Sequence, residues 1–86
     1  MREPVFTNQY KKDLEKKRGW NMDELKVLVV KLLGEDPLDR KYKDHPLTGN
    51  WVGRRDAHIN SDWILIYKIQ DQYVIFERTG SHSDLF

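Results

Sequence analysis

The chain has no cysteine, which excludes disulfides and thiolate metal sites. It also lacks long apolar runs. The longest, Val27–Val30 and Trp63–Tyr67, fall far short of the ~20 residues that a membrane helix needs, so no membrane partner is expected. Met1-Arg2-Glu3-Pro4 opens no apolar stretch of the signal-peptide kind, and a cytoplasmic location is expected. There is no internal repeat, low-complexity tract or linker, so residues 1–86 are expected to form one domain. Nor does one sign of charge dominate. Fifteen Lys and Arg against fourteen Asp and Glu leave a net charge of +1, which by itself predicts no polyanion partner.

The composition, 38% hydrophobic and 34% charged, suits a folded domain and argues against disorder. A domain of this size buries only about 60–65% of the surface its unfolded chain exposes, so the core is modest. The basic residues are clustered. Lys11, Lys12, Lys16, Lys17 and Arg18 crowd one segment, and Arg40, Lys41, Lys43, Arg54 and Arg55 another. Such clusters can meet phosphates; taken alone they read as solvated faces.

The spacing predicts two helices and then a sheet. Val5–Phe6 reads as a short edge strand, with Thr7 or Asn8 as a helix cap. Phe6, Tyr10 and Leu14 share one helical side, and Gly19 offers the stop. Asn21 caps a second helix, with Glu24 in capping-box position. Its buried stripe is Met22, Leu25, Leu28, Val29, Leu32 and Leu33, and Gly34 and Pro37 end it. Trp51–Ile59, Trp63–Ile69 and Tyr73–Arg78 read as three antiparallel strands with turns at Asn60-Ser61-Asp62 and Gln70-Asp71-Gln72. The middle one is apolar throughout, as a strand buried on both faces is. The expected class is α+β, two N-terminal helices packed on an antiparallel β-sheet.

Some polar residues are not needed by a core. His45, Arg55, His58, Asp62, Arg78 and His82 all lie near strand ends or loops, where functional groups are often mounted. His58 and Asp62 flank a predicted turn, and a carboxylate near an imidazole orients it and favours its charged form. An ordinary surface pair is the simpler reading of that spacing. Arg78 can hold a phosphate through two N–H groups, or pair with Glu77 or Asp84. Trp51, Trp63 and Tyr67 offer base-stacking surfaces, although aromatics in strands usually build core. His45, His58, His82 and Asp62 supply metal-ligand chemistry, but no HxH, HxxH or HExxH spacing is present. No metal and no other cofactor are expected.

The order of these residues is more specific than any one of them. Lys43-Asp44-His45-Pro46-Leu47, Gly49-Asn50-Trp51, Arg55-Asp56-Ala57-His58, Asp62-Trp63-Ile64-Leu65-Ile66-Tyr67, Phe76-Glu77-Arg78-Thr79-Gly80-Ser81-His82 and Leu85-Phe86 follow one another. This half of the chain closely resembles the YafQ branch of the RelE toxin superfamily, and the first half agrees in length and helical pattern. The resemblance implies a RelE-like microbial ribonuclease fold and metal-independent cleavage of mRNA on the 70S ribosome. It implies a cognate antitoxin as partner, with operator DNA reached only through the antitoxin complex. The branch's functional positions fall on His45, His58, Asp62, Trp63, Arg78, His82 and Phe86.

RNA carries its own nucleophile, the 2′-hydroxyl beside the scissile phosphate. The expected roles follow from that. His82 protonates the leaving 5′-oxygen, Arg78 holds the phosphate, and His58 or Asp62 is the base with the other orienting it. His45 is a second charge or proton carrier. Trp63 and Phe86 position bases, and Arg54 and Arg55 contact the RNA backbone. The same basic and aromatic residues would serve a non-cleaving ribosome- or nucleic-acid-binding module. Three histidines with a carboxylate favour chemistry, since binding alone has little use for them.

Overall fold

All residues from 1 to 86 are described in the computed structural model. Thr7 decides where the first helix starts. Its hydroxyl accepts the Tyr10 N–H at 3.0 Å, capping α1 (Asn8–Glu15). The same hydroxyl donates a shared hydrogen bond to the Phe76 and Glu77 carbonyls, 3.0 Å from each. One side chain thus fixes the helix to the sheet. The helix ends at Glu15 and not near Gly19; the intervening residues form turns, and Gly19 takes a φ of 89° that favours glycine. Asn21 caps α2 (Met22–Leu33) by accepting the Asp23 N–H. Glu24 does not close a capping box. Its carboxylate accepts from the Asn60 side chain at 3.1 Å, tying α2 to a sheet turn.

The sheet has five strands: β1 (Glu3–Phe6), β2 (His45–Pro46), β3 (Arg55–Asn60), β4 (Trp63–Gln70) and β5 (Tyr73–Gly80), in the order β1-β5-β4-β3-β2. The expected meander is β3–β5. The sheet is nevertheless mixed, because β1 runs parallel to β5. A parallel neighbour needs a crossover connection, and the α1–α2 hairpin carries the chain back across the sheet. The segment from Trp51 expected to be strand starts as a 3₁₀ turn, Gly49–Trp51, with Gly53 at φ 87°; β3 begins at Arg55. A four-residue helix, α3 (His82–Leu85), follows β5.

Residues 63–67 of β4 are buried on both faces. On the helix side, Trp63, Leu65 and Tyr67 pack with Leu25, Leu28 and Leu32. On the other side, Ile64 and Ile66 pack under Leu85, Leu47 and Trp51.

β1 pairs only as far as Phe76, so β5 has a free edge beyond it. Asp13 of α1 covers that edge. Its carboxylate accepts the Thr79 N–H at 3.2 Å and the Arg78 guanidinium at 2.7 and 3.2 Å. Burial pushes the Asp13 carboxyl upward, but the bonds from Arg78, Thr79 and Gln9 outweigh it and hold the group below the usual range. A depressed carboxyl contributes stability above its unfolded value, near pH 4, that is lost as pH falls through the folded value. Asp13→Ala is expected to cost about 2–3 kcal/mol, since it strands a partly buried guanidinium and an edge N–H. Urea denaturation at pH 7 and at pH 3 checks this: the difference from wild type shrinks at the lower pH.

Candidate active site

Strand alternation sorts the polar residues onto the two faces of the sheet. Asp56 and His58 of β3 pair with Ile66 and Ile64 and so lie on the face without α1 and α2. His45 of β2 pairs with Asp56 and joins them. His45 Nδ1 lies 3.5 Å, and His58 Nε2 3.7 Å, from the same oxygen, Asp56 Oδ1. The two imidazole centroids are 6.4 Å apart.

Asp56 is 4% exposed, and its Oδ1 has no hydrogen bond. Burial pushes its carboxyl up, against the pull of positive charge on His45, His58 and His82; Asp44 adds to the rise. All three histidines of the chain thus act on one buried carboxylate. His45 Nδ1 also lies 2.8 Å from the Lys43 carbonyl. A carbonyl only accepts, so Nδ1 carries the proton and Nε2 of the neutral ring keeps a lone pair.

His82 sits on α3, which Ser81 caps. Ser81 Oγ accepts the Asp84 N–H, and Asp84 Oδ2 accepts the Ser81 N–H, both at 3.1 Å. The His82 ring is 5.0 Å from the Phe86 ring, which is 6.3 Å from Trp51. Phe86 is half exposed. Arg54 reaches across this face to Glu77 at 2.7 Å, its guanidinium 5.9 Å from the Trp51 ring. The face therefore holds three imidazoles, a buried carboxylate, an arginine and an exposed aromatic edge. That is the equipment of proton transfer on a phosphate ester with a base stacked alongside.

A family model of bacterial toxins of type II toxin–antitoxin systems, YafQ, matches residues 2–86. The chain belongs to the YafQ family. It is 50% identical over 88 residues to the mRNA interferase toxin YafQ of Escherichia coli, covering 99% of this chain and 96% of that one. The fold is that of the YafQ structures. A crystal structure of the E. coli DinJ–YafQ complex superposes with a TM-score of 0.90 at 46% identity, covering 100% of this chain and 99% of that one. A copper-bound toxin from Helicobacter pylori superposes with a TM-score of 0.94 at 34% identity over the whole of both chains.

Within this YafQ fold several expected site residues are placed differently. Trp63 is fully buried in the helix-side core, edge-on to Trp20 and donating through Nε1 to Thr79 Oγ1 at 2.6 Å. It cannot stack a base. Asp62 is exposed in the β3–β4 turn, where its backbone N–H bonds the Asn60 side chain; the carboxylate beside His58 is Asp56. Arg55 falls on the helix-side register with Ala57, bonding Asp44 at 3.1 Å, so it faces away from the histidines. Arg78 is fixed by Asp13, not by Glu77 or Asp84. Asp56 was missed although a signal was there. It stands two residues before His58, the spacing that puts two strand residues on one face.

A carboxyl raised by burial binds its proton more tightly in the folded state. The penalty of ionising Asp56 is thus absent at low pH and grows as pH rises from the ordinary carboxylate range through the folded value. Asp56→Asn is expected to raise stability at pH 7 by about 1 kcal/mol, or several degrees in Tm. Thermal melts of both proteins at pH 7 and pH 4 check this: the gap narrows at the lower pH.

Proposed function

We propose that this chain is an mRNA interferase, an endoribonuclease toxin that cuts mRNA on the translating ribosome through the RNA's own 2′-hydroxyl. The observation carrying this reading is the pair of imidazoles within 4 Å of the buried Asp56, with a third on α3 beside the exposed Phe86. The relatives named mRNA interferase toxin support it.

His45 takes the 2′-hydroxyl proton at Nε2, the nitrogen left free by the Lys43 carbonyl. Asp56 holds the resulting imidazolium, and His58 faces the same carboxylate oxygen. Attack of the 2′-oxygen on phosphorus expels the 5′-oxygen, which His82 protonates. Arg78 offsets phosphate charge through the N–H groups that Asp13 leaves unused, and Arg54 contacts the backbone. Phe86 positions a base. The products are a 2′,3′-cyclic phosphate and a 5′-hydroxyl. Every proton moves between protein groups and RNA, so a chelator leaves the chemical step unchanged.

The second part of the reading is an antitoxin partner, as the E. coli relative has in its complex with DinJ. A groove of about 620 Å³ between α1 and α2 is lined by Phe6, Leu14, Met22, Val29 and Val30 and rimmed by Lys11 and Lys26. An exposed apolar surface of this kind suits the apolar face of a partner helix with acidic flanks. Operator DNA is reached only through that complex.

In a cell-free bacterial translation reaction, wild type is expected to create new mRNA 5′ ends, and His45→Ala and His82→Ala each to lose about 10²–10⁴-fold in rate. Translation arrest without new ends would replace cleavage by ribosome binding.

A further inference from the structure

A four-residue helix has no stability of its own, yet α3 carries His82 and leads into Phe86. Something outside it must fix its direction. One anchor is Leu85, packed on Ile64 and Ile66. The second is polar. Lys17 Nζ, from the turn after α1, lies 2.7 Å from Asp84 Oδ2, across 67 positions of sequence. Asp84 is the residue that closes the α3 capping box.

Lys17 is no freely solvated lysine. Its side chain is 15% exposed, and its ammonium sits 4.5 Å from the Trp20 ring centroid. Trp20 meets Trp63 edge-on at 5.0 Å, and Trp63 is bonded to Thr79, just before α3. The mount is close-fitting as well. A Cβ on Gly80 would stand 3.2 Å from Asp84 Oδ2, so glycine there lets α3 fold back against β5.

We propose that Lys17 is a positioning residue: through Asp84 it sets the direction of α3 and so places His82 and Phe86 over the His45–Asp56–His58 cluster. The inference rests on the ribonuclease reading above. The one side-chain hydrogen bond of the Lys17 ammonium goes to Asp84, with the Trp20 ring beside it, which places Lys17 at the mount of α3. Trp63 and Trp20 belong to the same mount, which gives the buried Trp63 a role at the site without a base on its face.

The test compares Lys17→Met, Lys17→Arg, Asp84→Asn and the Lys17→Met/Asp84→Asn double variant. Asn at 84 keeps an oxygen for the Ser81 N–H and removes only the charge that Lys17 meets. The kcat of Lys17→Met is expected to fall about tenfold by misplacement of His82. Its KM for programmed ribosomes should stay within about twofold. Arg restores much of the kcat, Asp84→Asn matches Lys17→Met, and the double variant is no worse than either. Backbone ¹⁵N heteronuclear NOEs of residues 81–86 should fall in Lys17→Met and stay high in Lys17→Arg. Wild-type kcat with unchanged NOEs in Lys17→Met would overturn the proposal. So would a rise in KM alone, or losses that multiply in the double variant, since either marks direct RNA contact by Lys17. If the wild type itself does not cleave, the ribonuclease reading fails and takes the catalytic role with it, and the NOEs still decide whether Lys17 anchors α3.

Discussion

Most of this molecule follows from β4 having to be buried on both faces. The two long helices cover only one of them. On the other, Ile64 and Ile66 are shielded by small pieces: Leu85 of α3, with Leu47 and Trp51 from the loop before β3. Burying an isoleucine side chain is worth about 1.5–3 kcal/mol, so those pieces are drawn onto this face. They bring His82, Phe86 and Trp51 with them. The histidine face is thus assembled by the same burial that completes the fold, and a short helix can hold His82 in place because Leu85, on the same helix, is part of the core.

The carboxylates of the fold divide by what meets them. Asp13 has Arg78 and an edge N–H, Asp44 has Arg55 and the Tyr67 hydroxyl, and Asp84 has Lys17 and the α3 cap. Each is satisfied and ties separate elements together. Asp56 alone is buried with an oxygen that has no hydrogen bond, and its neighbours are titratable rings. A buried charge answered only by histidines costs stability whenever those rings are neutral. Such a cost is common where a group serves chemistry.

How much of this was legible in the sequence depends on the range of the signal. The stripe Leu25-Leu28-Leu32, the meander and the doubly buried β4 were readable, because period and composition are local properties. The parallel β1 was not. Val5–Phe6 reads as an edge strand, but which edge it joins is decided by the helix crossover and by Thr7 bonding strand β5. At the site, the three histidines were readable as residues without a core role. The carboxylate beside His58 was expected to be Asp62, because it flanks the turn near that histidine. Alternation along β3 instead turns Asp56 inward beside His58, and the register with β2 brings His45 to it. Trp63 was misjudged for a related reason: its motif position is distinctive, but its face of β4 lies under Trp20.

The central claim is that this sheet face takes a proton from an RNA 2′-hydroxyl and gives one to the leaving 5′-oxygen. The most direct measurement uses a single mRNA made twice, once all-ribose and once with a 2′-deoxy nucleotide at the mapped cut position, in the same translation reaction. Cleavage of the first at that position and none of the second is the predicted result. Equal cleavage of both would contradict the account, since the attacking oxygen would then have to be water, and the roles given to His45, Asp56 and His58 would fall together.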